Sequence, residues 1–325
     1  MVKKEVSIII VNYKTPHLLE ACVSSIYKHT EGVDFEVIIV DNDSRDNSKE
    51  LIISQFKNVL WIDSQQNVGF GRANNIGLKE AQGDYVVLIN SDVELFENSI
   101  LLTLDHLKSI PNPNKVGFVG CKIVHRDGAP QPSCNYWNPG IRELLEANAL
   151  VIKFWQRILK RKILHDIDKY ARLDENHEVT HLGVPFVICT REAIQENYFD
   201  ENFFMYFEDC ELNARMSIKG LKHYYFSGTS VYHHIGASNK DNEKRDRQIF
   251  ASRLLYIKKR YSALYYRFFV LIFKFNLFLD GLADSSHLTT KKHKVWLKVY
   301  NKKVNEISGV PNESLNTYSD VLQEF

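Results

Sequence analysis

Long apolar runs are missing from this chain of 325 residues. The most apolar late stretch, Leu264–Leu279, is interrupted by Arg267 and Lys274, which makes it too short and too charged for a membrane-spanning helix. Paired cysteines are missing too. Cys22, Cys121, Cys134, Cys189 and Cys210 are odd in number and widely spaced, with no C-x-x-C pair and no zinc-like spacing. This usage points to a reducing compartment. Met1–Glu5 is short and charged and runs straight into a strand-like segment, unlike a secretory leader, so a cytoplasmic protein is expected. An excess of one charge is missing as well: the net charge is +1, which gives no electrostatic footprint for nucleic acid as a partner.

Three familiar catalytic signatures are also absent. Gly69 and Gly71 form G-x-G-x-x-N, which lacks the third glycine of a dinucleotide fingerprint and follows the third predicted strand, not the first. There is no G-x-x-x-x-G-K-[ST] phosphate loop and no G-x-S-x-G nucleophile elbow, so redox, NTPase and hydrolase chemistry have little support.

What is present is an alternation of strand and helix signals. Val6–Val11 is a β-branched run, interrupted only by Ser7, that suits a strand buried on both faces. Thr15-Pro16 resembles an N-cap with proline at the first helical position, followed by apolar residues at helical spacing from Leu18 to Ile26. Strands are predicted at Glu36–Val40, Val59–Ile62 and Tyr85–Ile89, with helices after the first two. The pattern implies a mostly parallel, doubly wound α/β sheet flanked by helices. Later segments read as strands at Val116–Val124, Val179–Thr190 and Tyr224–His234. Asp127–Gly140 reads as a loop, Ile141–Leu173 as a basic helix, and Glu208–Ile218 as a helix. From Asp241 the chain turns to charged, aromatic helices. The expected division is a catalytic domain over 1–240 and a C-terminal helical appendage over 241–325.

Ligands of such sheets sit beyond the carboxyl ends of the strands. Polar residues fall there four times: Asn12-Tyr13, Asp41-Asn42-Asp43, Asn67 and Asn90-Ser91-Asp92. One such cluster is an ordinary turn; four on successive strands converge on one rim. Asp92 can hold a hard divalent cation against diphosphate oxygens or cap the following helix. Asp41 can accept from the N3–H of a uracil or thymine ring or close an Asx-turn, although that turn suits Asp43, Ser44 and Asp46 better. Glu208 and Asp209 follow the aromatic run Phe203–Phe207, where desolvation raises basicity; first-turn helix acids are the plain alternative. Of the pair His233-His234 on a strand, at most one can face a ligand.

Six segments in order resemble glycosyltransferase family 2, and within it the bacterial rhamnosyltransferase-like branch. They are Ser7–Tyr13, Val40–Ser44, Asn67–Gly77, Leu88–Val93, Phe204–Asp209 and Val231–Ser238. The resemblance implies a GT-A fold and inverting transfer of a sugar from a nucleotide-sugar. It implies that Asp41 reads the base and that Asn12, Tyr13, Asn67, Arg72, Asn74, Asn90 and Ser91 line the donor pocket. Asp92 and His233 would hold Mg2+ or Mn2+, Asp209 would be the catalytic base, and Glu208 would position it or the acceptor. The family's D-x-D motif has Asn90 at its first position here, as this branch commonly does. A UDP- or dTDP-sugar donor and a saccharide or lipid-linked acceptor follow. The basic aromatic segment Tyr256–Leu282 suits peripheral contact with the inner face of the cytoplasmic membrane; packing on the catalytic domain is the alternative. Two rival functions remain. A nucleotidyltransferase needs a glycine- and lysine/arginine-rich loop after the first strand, where this chain has Asn12–Thr15. A non-catalytic sugar-nucleotide binding protein would be expected to lack Asp92 or Asp209.

Overall fold

The computed structural model describes residues 4–135, 138–141, 172–234 and 242–283. The basic helix expected over Ile141–Leu173 lies almost wholly outside the described residues. By contacts the chain divides into two units, one of residues 1–138 with 169–241, the other of 139–168 with 242–325.

In the first unit, β1 (Val6–Asn12), β2 (Phe35–Asp41), β3 (Val59–Asp63) and β4 (Tyr85–Asn90) lie parallel in the order β3-β2-β1-β4. β1 is buried along its whole length, as a strand of Val and Ile covered on both faces must be. Ile8 and Ile10 pack with Leu19 and Ile26 of α1 (Pro16–His29) and Leu104 of α4 (Ser99–Ser109). Ile9 points the other way, into a cluster with Leu78 of α3 (Phe70–Glu80). Each such side chain contributes about 1.5–3 kcal/mol on full burial, so both faces anchor the same strand. α3 sits very close to the sheet at Gly77, where an added Cβ would stand 2.7 Å from Ile9 Cγ2.

Beyond β4 the sheet becomes mixed. β11 (Phe186–Thr190) runs antiparallel between β4 and β6 (Val116–Val124). β12 (Lys222–His233) lies parallel to β6, and β5 (Val93–Glu94) pairs antiparallel with the end of β12. The single strand expected over Val179–Thr190 is instead three: β9 (His177–Val179), β10 (His181–Leu182) and β11. Pro185 cannot donate to a ladder, and its carbonyl accepts from Asn90 N at 2.9 Å, so the chain breaks between β10 and β11. The expected loop Asp127–Gly140 contains β7 (Pro130–Gln131), paired with β6, and β8 (Cys134–Asn135), paired with β10.

In the second unit, helices Asn242–Arg260 and Ala263–Ala283 follow one another. No helix among the described residues is long and apolar enough to cross a membrane.

Candidate active site

β1 and β2 end in register, Asn12 beside Asp41. Parallel strands of equal reach put their last residues on one rim, and here the two side chains bond directly. Asn12 Nδ2 donates to Asp41 Oδ1 at 2.7 Å and to Ser44 Oγ at 3.1 Å, while Asp41 Oδ2 accepts from Ser44 N at 3.0 Å. Asp41 therefore closes a turn itself, and Asp46 closes another as expected, its Oδ1 accepting from Ser48 N at 2.9 Å. Thr15 is the N-cap residue of α1 but makes no side-chain cap bond. Its hydroxyl donates to Asn12 Oδ1 at 2.9 Å and lies 3.0 Å from Ser91 Oγ. One buried network thus runs from Asp41 through Asn12 and Thr15 to Ser91. Tyr13 stands at its edge, 37% exposed, with Lys14 Nζ 5.1 Å from its ring centroid. Lys14, Asp43, Arg45 and Gln65, in the loops after β1, β2 and β3, all have positive φ, a conformation that costs a non-glycine residue energy and collects at functional sites. Beside Asp41, a cleft of about 360 Å³ is lined by Arg45, Lys49, Trp61 and Asp63 among others.

Asp92 immediately precedes β5, and the β5–β12 pairing brings His233 beside it. His233 Nε2 lies 3.3 Å from Asp92 Oδ1, and His234 N donates to Asp92 O at 2.9 Å. The other ring nitrogen, Nδ1, meets Gln131 Oε1 at 3.0 Å, and Gln131 Nε2 donates to His233 O at 2.7 Å. This orienting contact on the second nitrogen is what a metal-ligating imidazole requires. Asn90 adds a buried side-chain oxygen, Oδ1, with no hydrogen-bond partner. A carboxylate, an oriented imidazole and an unsatisfied amide oxygen fit a hard divalent cation. His234 is engaged elsewhere, 2.8 Å from Glu94 Oε1.

The acidic pair sits at the start of helix Glu208–Ile218. Tyr206 and Phe207 both have positive φ, a turn that swings the chain from the aromatic run into the helix. Glu208 is 6% exposed and its Oε2 has no partner. Burial, together with the neighbouring charge of Asp209, pushes its carboxyl up to about 8. Burial acts on Asp209 in the same direction, but the His181 side chain and the Cys210 N–H outweigh it and the net shift is downward. Cys210 N donates to Asp209 Oδ1 at 2.7 Å, and His181 Nε2 lies 3.5 Å from Oδ2. The two adjacent carboxyls are pushed apart, Glu208 toward its neutral form and Asp209 toward its charged one. His181, Asp209 and Cys210 also offer ligand atoms within 4.8 Å of one another. A thiol in that set suits a softer cation than one that binds diphosphate, so the donor's metal is better matched by Asp92 and His233.

Several expected donor residues turn out to be occupied by the protein itself. Asn67 Oδ1 accepts from Asn42 Nδ2 at 2.9 Å and from Gly69 N at 3.1 Å. Arg72 Nε donates to Glu201 O at 2.7 Å. Asn74, 2% exposed, donates to Phe70 O within its own helix. These three brace the β3–α3 loop and the chain segment that leads to Asp209. Asn75 does the same: its amide bonds both N and O of Phe199 at 2.9 Å. Gln131, His181 and Asn75 went unremarked in the sequence, and Thr15 was read there only as a helix cap. Only Asn75 carried a signal there, since it lies inside the Asn67–Gly77 segment.

Residues 7–168 match the family model described as Glycosyl transferase family 2. An N-acetylglucosaminyl-diphospho-decaprenol L-rhamnosyltransferase of Mycobacterium tuberculosis is 28% identical over 240 residues, covering 70% of this chain and 75% of that protein. The crystal structure of S. aureus TarS 1-349 aligns at a TM-score of 0.52 and 15% identity, over 91% of this chain and 78% of that one. The mannosyltransferase PcManGT from Pyrobaculum calidifontis, solved with GDP-Man and Mn2+, aligns at 0.54 and 14%, over 92% and 84%. At such identities these structures establish the fold, which is GT-A. With that fold, a polar rim at the ends of β1, β2 and β4 and the family match in hand, the chain is a glycosyltransferase of family 2.

Proposed function

We propose that the protein is an inverting glycosyltransferase of surface-polysaccharide synthesis. It moves a hexose such as rhamnose or galactose from a UDP- or dTDP-sugar to a saccharide or lipid-linked acceptor. The observation that carries this is the adjacent acidic pair Glu208 and Asp209, with Asp209 Oδ1 accepting from Cys210 N at 2.7 Å and Oδ2 lying 3.5 Å from His181 Nε2, on a segment tied to the donor rim by Phe70 N donating to Phe204 O at 2.8 Å. The rhamnosyltransferase relative supports the sugar and acceptor classes.

In this reading Asp209 takes the proton of an acceptor hydroxyl while that oxygen bonds to the anomeric carbon and the bond to the diphosphate breaks. The sugar inverts in a single displacement, with no covalent enzyme intermediate. Glu208, kept protonated by burial, adds no second charge beside the base and can orient the acceptor with its O–H. Asp41 accepts from the base N3–H, and Asn12 holds that carboxylate in place. When bound, a divalent cation would neutralise charge on the departing diphosphate; Asp92 and His233 are the residues that would hold it, with Asn90 Oδ1 a further candidate oxygen.

The test is a thermal-stabilisation and slow-hydrolysis screen of UDP-, dTDP- and GDP-sugars with and without Mn2+. UDP or dTDP compounds should stabilise the protein in a metal-dependent way, and Asp92→Asn should abolish the metal dependence. A response to GDP-sugars alone would remove the role given to Asp41.

A further inference from the structure

We propose that His181 is a positioning residue for Asp209, holding that carboxylate charged and in one orientation from β10; this rests on Asp209 being the general base. His181 is 6% exposed. Its Nε2 stands 3.5 Å from Asp209 Oδ2, a polar approach longer than a formed hydrogen bond, and has no hydrogen-bond partner among the described residues. On the far side of the ring, Asn135 Nδ2 lies 3.2 Å from Nδ1. Asn135 is the register partner of His181 across β8 and β10, so the short antiparallel pair sets that contact. An amide donating to Nδ1 puts the imidazole proton on Nε2, facing the carboxylate.

The spacing between ring and carboxylate is built in by Asn213, a fully buried side chain one helical turn after Asp209. Its Oδ1 accepts from Leu182 N at 3.1 Å, and its Nδ2 donates to Leu182 O at 3.1 Å and Asp209 O at 2.8 Å. One side chain therefore clamps the strand of His181 to the turn that carries Asp209. Among the described residues, the titratable groups around the carboxylate come from three elements. Its own helix presents Glu208 and Cys210, β10 presents His181, and β12 presents His223, whose Nε2 lies 3.1 Å from Asn213 O. β6 contributes the apolar Phe118 to the cluster with Leu212 and Met216. His181 is thus the polar contact to Oδ2 that comes from another element. A histidine kept only for packing would need neither the oriented ring nor the clamp.

The test pairs two substitutions in the full chain. His181→Phe keeps the ring and loses the donor, whereas His181→Gln keeps an N–H near the place of Nε2. Carboxyl-carbon NMR titration of Asp209, assigned with Asp209→Asn, should move up by about one unit in His181→Phe and remain near wild type in His181→Gln. The acidic limb of slow donor hydrolysis and transfer should move by the same amount, with donor KM unchanged. An unshifted Asp209 titration in His181→Phe would overturn the proposal, as would an equal shift in both variants. The NMR titration stands without any turnover, so it separates failure of this role from failure of the transferase reading.

Discussion

At the scale of single residues, the chemistry turns on which carboxyl keeps its proton. Glu208 and Asp209 are adjacent and cannot both be ionised cheaply in a buried turn. His181 and the Cys210 N–H stabilise the charge on Asp209, and Glu208 has no compensating partner at Oε2. Asp209→Asn keeps the shape and removes the base. It should lower sugar transfer about 10²–10⁴-fold, while titration calorimetry with the donor nucleotide should show nearly unchanged binding. Glu208 makes a separate, pH-dependent contribution to stability. Its folded value lies above its unfolded one, so its contribution is fully present below the unfolded value of 4.5 and is lost as pH rises toward about 8. Glu208→Gln removes that proton linkage. Melting curves across pH should show Glu208→Gln gaining stability relative to wild type between pH 5 and 9, and a constant difference would argue against the buried neutral acid.

At the scale of elements, the site depends on loops held against one another more than on the strands that launch them. Asn42, Asn67 and Ser64 bind the loops after β2 and β3 together, and Gly69 lets the second of these approach the aromatic segment. Its φ is +88°, and an added Cβ would stand 2.2 Å from Phe204 O, the same oxygen that accepts from Phe70 N. Gly69→Ala therefore meets both an unfavourable backbone conformation and a backbone clash. A loss of at least about 1–2 kcal/mol is expected from the conformation alone, read as a lowered urea midpoint with unchanged slope. Because the displaced segment leads to Asp209, transfer should fall further than stability does.

At the scale of the whole molecule, the second unit carries an exposed apolar stripe on one helix. Leu264, Phe268, Leu271 and Phe275 are 77%, 54%, 61% and 54% exposed and recur at helical spacing on one helix. Arg267 and Lys274 lie on that helix, and Lys258, Lys259 and Arg260 end the one before it. An apolar stripe among basic residues is what interfacial binding to anionic lipid needs; it supports the peripheral membrane contact expected from the sequence. The full chain should float with vesicles containing anionic lipid and fail to float with zwitterionic ones. Leu264→Ser with Phe268→Ser should abolish flotation and leave donor hydrolysis intact; flotation that survives both changes would count against the stripe.

The sequence by itself determined the strand–helix alternation from Val6 to Asn90 and the polar ends of its parallel strands, because hydrophobic period and turn chemistry are local properties of a few neighbouring residues. It also carried the acidic pair, His233 and the family resemblance, since these lie in short contiguous segments. Only the tertiary structure decided who holds whom. Gln131 orients His233 and Asn213 clamps Leu182, Thr15 leaves its cap for Asn12, and Asn67 Oδ1, Arg72 Nε and Asn74 Nδ2 each meet a partner within the protein. Such pairings join residues far apart in the chain, and a polar side chain reads the same in sequence whether it meets a ligand or a carbonyl. The break at Pro185 that splits the expected Val179–Thr190 strand is of the same kind: it positions His181 for Asp209 through contacts no local pattern encodes.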